Sequence, residues 1–402
     1  MAFEHLKPLL LKNSSKIVLL ILDGLGGIPM QAGGPTSLEA AKTPTMDKMA
    51  EEGSLGRIVP IRPGITPGSG PAHLSLFGYD PLTYLVGRGA LESTGVGMKV
   101  APGDVAARGN FCTLDKDGKI TDRRAGRIGN DEAIPLVEKL AGIQVEGVET
   151  EVRHLMEYRF AVVMRGKDLD AEILDTDPQR TGLSPLPPEG QNPKAQKTAQ
   201  LFQAWVKEAE KVLKDEKRAN GVTLRGFGTD PSLPKYADIF GLRAACVAVY
   251  PMYRGVAKLV GMEVIDFEGK KPADEFRALE AIWEDYDYFF VHIKKTDSMG
   301  EDGNFEGKQG IIEDVDQALP ELLKMKPDVV VITGDHSTPA KMRSHSWHPV
   351  PLLLWAPERG LPDGHKAFGE RNCGTGGLGT FPATDIPALA LAHAGRLMKF
   401  GA

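Results

Sequence analysis

Four short apolar runs recur along the chain, and each ends in a polar or turn-forming residue. Their sequences are KIVLLILDG (16–24), AACVAVYP (244–251), DYFFVHIKKTD (287–297) and PDVVVITGDH (327–336). Continuous apolar runs of this length are typical of strands that are buried on both faces. Helical patterns such as TPTMDKMAEEG and KQGIIEDVDQALPELLKMK lie between them. This alternation predicts an α/β fold, with a mainly parallel central sheet covered by helices on both faces.

The middle of the chain has a different pattern. The segment RGNFCTLDKDGKITDRRAGR (108–127) places a turn at Asp117 and Gly118 between two short alternating runs, which predicts an antiparallel hairpin. Further β-like runs follow, and apolar residues then recur at helical spacing over residues 201–213. We therefore predict a smaller inserted α+β domain at residues 103–235, and a core domain formed by residues 1–102 and 236–402.

Composition narrows the classes of function. The 402 residues carry a net charge of -6 with 25 % charged residues, which gives no basic footprint for nucleic acid. The cysteines stand far apart without a CxxC pair, so neither a disulfide framework nor a thiolate zinc site is indicated. No apolar run is long enough to span a membrane, and the N-terminal stretch lacks a cleavage site. We expect a soluble, cytoplasmic protein without membrane or nucleic-acid partners.

Two candidate functional residues lie in the first 80 residues. Asp23 ends a predicted buried strand, and ligands of open parallel sheets bind beyond such strand ends, although a turn-forming role explains Asp23 equally well. Ser69 stands between Gly68 and Gly70 at the start of a predicted helix, where phosphate binds readily. An ordinary helix cap in a loop rich in Gly, Ser and Pro explains Ser69 better when it is taken alone.

Further candidates follow the last two predicted buried strands. Asp297 and Glu301 lie in KKTDSMGEDGNFEGK, whereas Asp335, His336 and His345 lie in GDHSTPAKMRSHSWHPVP. Carboxylates together with imidazoles form a hard, oxygen-rich metal site. Taken alone, each segment also fits a role without function: the first as an acidic surface loop, and the second as a loop with structural histidines.

Taken together in this order, the motifs resemble the alkaline phosphatase superfamily and, more narrowly, the archaeal-type cofactor-independent phosphoglycerate mutases. The resemblance covers nearly the whole chain and rests on LLILDG, GSGPAHLSLFGYDP, GRGALESTGVG, RGNFCTLD, DRRAGRI, DTDP, TDSMGEDG, GDHS and HSWHPVP. It implies an alkaline-phosphatase-like three-layer core domain and an inserted domain that closes over the substrate.

The resemblance also implies two divalent metal ions, and the carboxylate-rich ligands suit manganese or magnesium. One ion is expected at Asp23, Ser69, Asp335 and His336. The other is expected at Asp297, His345 and the residue at position 301. The chain departs from the wider superfamily at this last position, because glutamate stands where histidine is common.

The implied reaction interconverts 3-phosphoglycerate and 2-phosphoglycerate in glycolysis and gluconeogenesis. It proceeds through a phosphoserine at Ser69 and needs no bisphosphoglycerate. His73 is a candidate general acid/base or substrate contact. The candidate substrate-binding residues are basic: Arg124 and Arg127 in DRRAGRI are favoured, and the others are Arg180, Lys295, Arg254 and Lys258.

Two other readings stay open at this point. A metal-dependent phosphatase or another phosphotransferase of the superfamily would use the same serine with a different acceptor. A metal-binding or sugar-phosphate-binding protein without turnover is a further alternative, but binding needs no nucleophile. The sequence does not indicate an oligomeric state.

Overall fold

The computed structural model describes residues 5–269 and 271–401. The strands, in chain order, are β1 (Ile17–Leu22), β2 (Ser54–Val59), β3 (Val105–Leu114), β4 (Ile120–Asp122), β5 (Glu149–Met156), β6 (Arg159–Arg165), β7 (Gly221–Gly228), β8 (Ala244–Ala248), β9 (Glu263–Val264), β10 (Tyr288–Ile293), β11 (Val329–Thr333), β12 (Val350–Trp355) and β13 (Gly379–Pro382).

The α-helices, in chain order, are α1 (Ser37–Ala40), α2 (Pro44–Glu52), α3 (Ser69–Leu76), α4 (Arg88–Gly95), α5 (Asn130–Ala141), α6 (Pro193–Leu213), α7 (Tyr236–Phe240), α8 (Pro251–Leu259), α9 (Pro272–Ile282), α10 (Lys295–Glu301), α11 (Phe305–Lys324), α12 (Glu370–Thr375) and α13 (Ile386–His393). Short 3-10 helices occupy Lys7–Leu9, Ala125–Arg127 and Ala383–Asp385. None of these described helices is long and apolar enough to cross a lipid bilayer.

The chain divides into two compact units. The first contains the chain up to Leu85, Pro234–Tyr250 and the chain from Val260 onwards, and the second contains Val86–Leu233 and Pro251–Leu259.

The first unit contains an eight-stranded sheet in the order β13, β2, β12, β11, β1, β10, β8, β9. The four predicted buried strands are β1, β8, β10 and β11, and they are neighbours that pair in parallel. Only β12 runs antiparallel to its neighbours, β11 and β2, among the pairings of this sheet in the described residues. The predicted mainly parallel sheet is therefore confirmed.

Helices cover both faces of this sheet. On one face, Val18, Leu20 and Leu22 of β1 share an apolar cluster with side chains of α2, α9, α11 and α12. On the other face, Phe290 of β10 meets Phe77 at the end of α3 edge to face, with ring centroids 4.8 Å apart. The first unit therefore has three layers, which confirms the predicted α/β class.

The second unit contains an antiparallel sheet of β4, β3, β6 and β5 in that order, with β7 paired to β3. The predicted hairpin is the β3–β4 pair, and Gly118 takes the left-handed conformation in its turn, with φ 74°. Apolar residues of α6, among them Phe202 and Trp205, are buried in the core of this unit. The helix that the spacing over residues 201–213 predicted is therefore confirmed, and it packs in this core.

The second unit extends beyond the predicted inserted domain at 103–235, because it includes α4 and α8. A Cβ added at Gly95 would lie 1.8 Å from the carbonyl oxygen of Pro251, and one added at Gly255 would lie 1.7 Å from that of Leu91. These glycines let the two helices pack backbone to backbone. α4 also packs closely on β3, since a Cβ at Gly89 would lie 2.5 Å from the Ala107 Cα. α4 and α8 therefore belong with the smaller sheet.

Candidate active site

Three adjacent parallel strands end at the candidate site. Asp23 directly follows β1, Lys294 directly follows β10, and Asp335 lies two residues after β11. Because these strands are in register, with Leu22 opposite Ile293, the residues that follow them meet at one edge of the sheet. This edge is where parallel sheets bind ligands.

A first cluster surrounds the Nε2 atom of His336. It lies 3.4 Å from Asp23 Oδ1, 3.2 Å from Asp335 Oδ2 and 3.3 Å from Ser69 Oγ. Asp23, Asp335 and His336 are fully buried, whereas Ser69 is half-buried. The structure thus brings together the four residues that were predicted to hold one metal ion.

A second cluster contains Asp297, His336 and His345, which each offer one ligand atom within 4.8 Å of the others. His345 Nε2 lies 3.5 Å from Asp297 Oδ1 and 3.9 Å from Glu301 Oε1. Glu301 is 55 % exposed and lies at the margin of this cluster. His336 is therefore shared by both clusters, although sequence reasoning assigned it to the first one only.

Hydrogen bonds determine which nitrogen of each imidazole faces the site. The Thr338 hydroxyl donates to Asp297 Oδ1 (2.8 Å), so it accepts from His336 Nδ1–H (2.9 Å). His345 Nδ1 lies 2.9 Å from the carbonyl oxygen of Pro67 and must donate to it. Both Nε2 atoms therefore keep a lone pair that is directed into the site, as ligating histidines do. The two rings stack with centroids 3.6 Å apart.

The pKa values of the two buried carboxyl groups, Asp335 and Asp23, shift in opposite directions. Burial raises the pKa of Asp335 well above its usual value, and the neighbouring charge of Asp23 raises it further. Burial also opposes ionisation of Asp23, but Lys294 and His292 hold the pKa of Asp23 well below its usual value. Burial lowers the pKa of His336 far below its ordinary value.

These residues fit divalent metal ions. Asp335 Oδ2 is buried and receives no hydrogen bond from the described residues, while its Oδ1 accepts the Gly24 and His336 amides. An oriented carboxylate oxygen without a donor, beside two imidazole lone pairs, is the arrangement that a cation completes. Carboxylate oxygens, a hydroxyl and imidazoles also form the hard donor set that manganese and magnesium accept.

Lys294 was missed by sequence reasoning. Its ammonium group lies 2.9 Å from Asp23 Oδ2 and 2.5 Å from Asp297 Oδ2, so it bridges carboxylates of both clusters. The two carboxylates raise the pKa of Lys294 well above its usual value despite the opposing effect of burial. The predicted neighbour, Lys295, is exposed on α10. A usable signal was the polar segment HIKK at the end of an apolar strand, in which His292 is also buried and lies 3.4 Å from Asp23.

Ser69 is the first residue of α3, after Gly68 as the N-cap. Its backbone N–H and that of Gly70 lie in the first helical turn, where amides have no partner within the helix. His73, one turn later, is fully buried, and its Nδ1 donates to the Ser69 carbonyl oxygen at 2.8 Å. Burial lowers the pKa of His73 to about 3, which keeps the ring neutral. In this conformation His73 therefore contacts the backbone of Ser69 and the carboxyl group of Asp335, at 3.5 Å.

The other predicted basic residues lie in the second unit. Arg124 and Arg127 are exposed beside a tight turn in which Ala125 and Arg127 have φ of 49° and 52°. The Asp122 carboxylate shapes this turn by accepting the amides of Arg124 (2.7 Å) and Gly126 (3.0 Å). Arg180 is exposed as well. Arg254 and Lys258 are half-buried on α8 and so belong to the second unit, although the sequence suggested that they act from the core domain.

The fold and the site define a class of protein: an α/β enzyme with a serine and two carboxylate–imidazole clusters at the carboxyl ends of parallel strands. Residues 50–219 match the family described as 2,3-bisphosphoglycerate-independent phosphoglycerate mutase. The chain is 50 % identical over 404 residues to a probable 2,3-bisphosphoglycerate-independent phosphoglycerate mutase of Thermus thermophilus, covering 100 % of this chain and 99 % of the relative. A relative of the same description from Aquifex aeolicus is 49 % identical and is covered over its full length.

Solved structures agree with these relatives. A Pyrococcus horikoshii protein is 32 % identical with a TM-score of 0.84, covering 97 % of this chain and 100 % of the other. The cofactor-independent phosphoglycerate mutase of Thermoplasma acidophilum is 30 % identical with a TM-score of 0.69, covering 94 % and 100 %. The chain therefore belongs to the family of 2,3-bisphosphoglycerate-independent phosphoglycerate mutases, which are isomerases. The resemblance that the motifs indicated is confirmed.

Proposed function

We propose that the chain interconverts 3-phosphoglycerate and 2-phosphoglycerate through a phosphoserine at Ser69, without bisphosphoglycerate. The observation that carries this proposal is the position of Ser69 Oγ, 3.3 Å from His336 Nε2, in one cluster with Asp23 and Asp335. The identity to mutases over the whole chain supports the choice of substrate. We place the reaction in glycolysis and gluconeogenesis in the cytoplasm, and the three free, buried cysteines suit a reducing compartment.

We assign two divalent ions, manganese or magnesium, to the site. Asp23, Ser69, Asp335 and His336 would hold one ion. Asp297 and His345 would hold the other, with Glu301 or the shared His336 as a third partner. Bound cations would lower the pKa of the Ser69 hydroxyl and neutralise charge on the phosphoryl oxygens.

The residues of the chain then have separate tasks. Ser69 Oγ gives up its proton and attacks phosphorus, so an O–P bond forms at Ser69 as the O–P bond to glycerate breaks. The glycerate oxygen takes up one proton in exchange. The amides of the first turn of α3 bind phosphoryl oxygens. The His73 Nδ1–H bond to the Ser69 carbonyl orients the nucleophile, which we favour over a role as general acid/base. Glycerate reorients, and its other hydroxyl attacks the phosphoserine and regenerates Ser69.

The proposal is tested by incubating the full chain with 3-phosphoglycerate and Mn²⁺, in the absence of bisphosphoglycerate. We expect phosphorus NMR to show a new resonance of 2-phosphoglycerate, and the same equilibrium mixture from either isomer. A heat-inactivated sample controls for chemical conversion. Release of free phosphate as the main product would contradict the mutase and favour the phosphatase alternative.

The double substitution of Arg124 and Arg127 by alanine is expected to raise KM by about 10-fold or more and to increase the share of free phosphate. Two exposed guanidinium groups on a rigid turn suit a carboxylate or phosphate, and without them glycerate would leave before the return transfer. Product analysis by phosphorus NMR measures both effects. Arg153→Ala is the matched control, because Arg153 is exposed but already paired with Glu151 at 2.6 Å. Unchanged kinetics of the double variant would reassign Arg124 and Arg127 to the solvated surface.

Replacement of Glu301 by alanine is expected to weaken one of two Mn²⁺ binding events by about 10-fold and to leave the other unchanged. The carboxylate lies 3.9 Å from His345 Nε2 and would add negative charge to the cluster that contains Asp297. Calorimetric titration of the metal-stripped protein resolves the two events. Asp302→Ala changes the adjacent exposed acid and serves as the control. Equal affinities at both sites would show that Glu301 is not a ligand.

A further inference from the structure

Lys308 carries a fully buried ammonium group that the reaction proposed above does not use. It lies in the first turns of α11 and is 0 % exposed. Its Nζ donates to the carbonyl oxygens of Gly24 (2.6 Å), Gly26 (3.0 Å) and Thr338 (3.0 Å). An ammonium group has three N–H donors, so the three bonds satisfy it completely.

The three carbonyls belong to the two loops that present candidate metal ligands. Gly24 and Gly26 follow Asp23, and Thr338 follows His336 by two residues. The Thr338 amide also donates to the Gly26 carbonyl at 3.0 Å, so the loops are bonded to each other as well as to Lys308. Lys308 itself lies seven residues after Glu301, on the helix that follows α10 and Asp297.

These loops pack closely against one another and against α10. A Cβ added at Gly26 would lie 1.9 Å from Ser337 Oγ, and one added at Gly300 would lie 2.3 Å from the Thr338 carbonyl oxygen. Gly24 has φ 64°, and its Cβ would lie 2.6 Å from Thr338 Oγ1. The segments after β1, β10 and β11 thus approach one another closely. Lys308 occupies the point at which carbonyl oxygens of the segments after β1 and β11 converge.

We propose that Lys308 is a positioning residue of the metal centre: its ammonium group acts as an internal cation that holds the Asp23 and His336 loops in the geometry required for metal binding. This inference rests on the proposed metal site. A buried charge is costly unless it is fully hydrogen-bonded, so an apolar side chain would be expected at this position if packing were its only task. Burial lowers the pKa of Lys308 to about 8, and the negative charges of Glu370, Asp297 and Asp23 offset part of this effect.

The test compares Lys308→Met with Lys324→Met in the full, metal-stripped chain. Methionine is unbranched and only one atom shorter than lysine, but it leaves three buried carbonyl oxygens without their cation. Lys324 lies on the same helix, is 69 % exposed and pairs only with Glu321 among the described ion pairs, so it controls for loss of a lysine. The readouts are calorimetric Mn²⁺ affinity, far-UV circular dichroism, and hydrogen exchange of peptides that cover residues 24–27 and 336–340.

We expect folded Lys308→Met to bind Mn²⁺ about 10- to 100-fold more weakly than wild type. This is the typical loss when a residue is replaced that contacts the metal ligands but not the metal itself. Exchange should accelerate in the two loop peptides, and Lys324→Met should match wild type. If Lys308→Met does not fold, Lys308→Gln replaces it, because its amide can still donate two hydrogen bonds. An unchanged Mn²⁺ affinity in either folded variant overturns the inference, even if its melting temperature falls. A wild-type chain that binds no Mn²⁺ would instead contradict the proposed metal site, and the exchange data would then decide whether Lys308 holds the loops.

Discussion

Replacement of Ser69 by alanine is expected to lower kcat/KM for the interconversion by about 10⁴-fold or more, which is the scale of losing a nucleophile. The other groups that the described ion pairs place beside His336 Nε2 are the buried carboxyl groups of Asp23 and Asp335, and neither can replace the serine hydroxyl as an alkoxide nucleophile. The free energy of unfolding should change by about 1 kcal/mol or less, since the hydroxyl makes one long contact in the site. Steady-state kinetics and thermal unfolding measure the two effects.

Trapping of the phosphorylated protein separates the nucleophile from a residue that only binds. Wild type that is quenched during turnover should carry phosphate on the peptide containing Ser69, and Ser69→Ala should carry none. Ser344→Ala is the matched control, since this exposed serine lies in the loop that precedes His345. Substantial turnover by Ser69→Ala, or phosphate on another peptide, would count against Ser69.

The central strands were predictable because burial on both faces leaves a continuous apolar run. Every residue of the four central strands is buried, and nearly every residue in them is apolar: β1, β8, β10 and β11. The outer strands are different. β2 contains Gly56 and Arg57, and Pro351 lies near the start of β12, so neither reads as a strand in isolation. The antiparallel direction of β12 depends on long-range connection, which no local pattern records.

The predicted bounds of the inserted domain, 103–235, differ from those of the second unit for a related reason. α4 and α8 have ordinary helical sequences, and nothing local distinguishes a helix that packs on one sheet from a helix that packs on another. Only their small residues, Gly89, Gly95 and Gly255, indicate close backbone contact. A glycine in the sequence does not show which element packs against it. Arg254 and Lys258, which the predicted bounds place in the core domain, lie in the second unit for the same reason.

The candidate ligands could be predicted because they directly follow the ends of predicted strands. The residues that contact these ligands could not be predicted in this way. A parallel sheet brings residues such as Asp23 and Asp335 together whatever the intervening sequence is, so the sheet topology alone predicts that they lie close to each other. The choice between Lys294 and Lys295 instead depends on the direction of one side chain after β10. The shared position of His336, and the hydrogen bonds of Thr338 and Pro67 that orient the imidazoles, likewise require coordinates.

Asp335→Asn is the second substitution with a large expected effect, and it should separate metal binding from folding. Asp335 Oδ1 accepts two amides, so the amide oxygen of asparagine should take that place. Its NH₂ group then replaces Oδ2, a donor where a cation needs a lone pair, 3.2 Å from His336 Nε2.

We expect Mn²⁺ affinity of Asp335→Asn to fall by more than about 100-fold, beyond the loss typical of supporting residues, and kcat/KM to fall by about 10³-fold.

The metal-free Asp335→Asn protein should be as stable as metal-free wild type at neutral pH, or more stable. The reason is that the pKa of Asp335 is raised in the folded state, so its ionisation above pH 4 opposes folding, and asparagine removes that cost. Chemical denaturation with and without Mn²⁺ measures both effects, because the metal should stabilise the variant less than it stabilises wild type. Asp302→Asn, an exposed acid outside the clusters, is the control. A variant that is still stabilised by Mn²⁺ to the same degree as wild type would show that Asp335 is not a ligand.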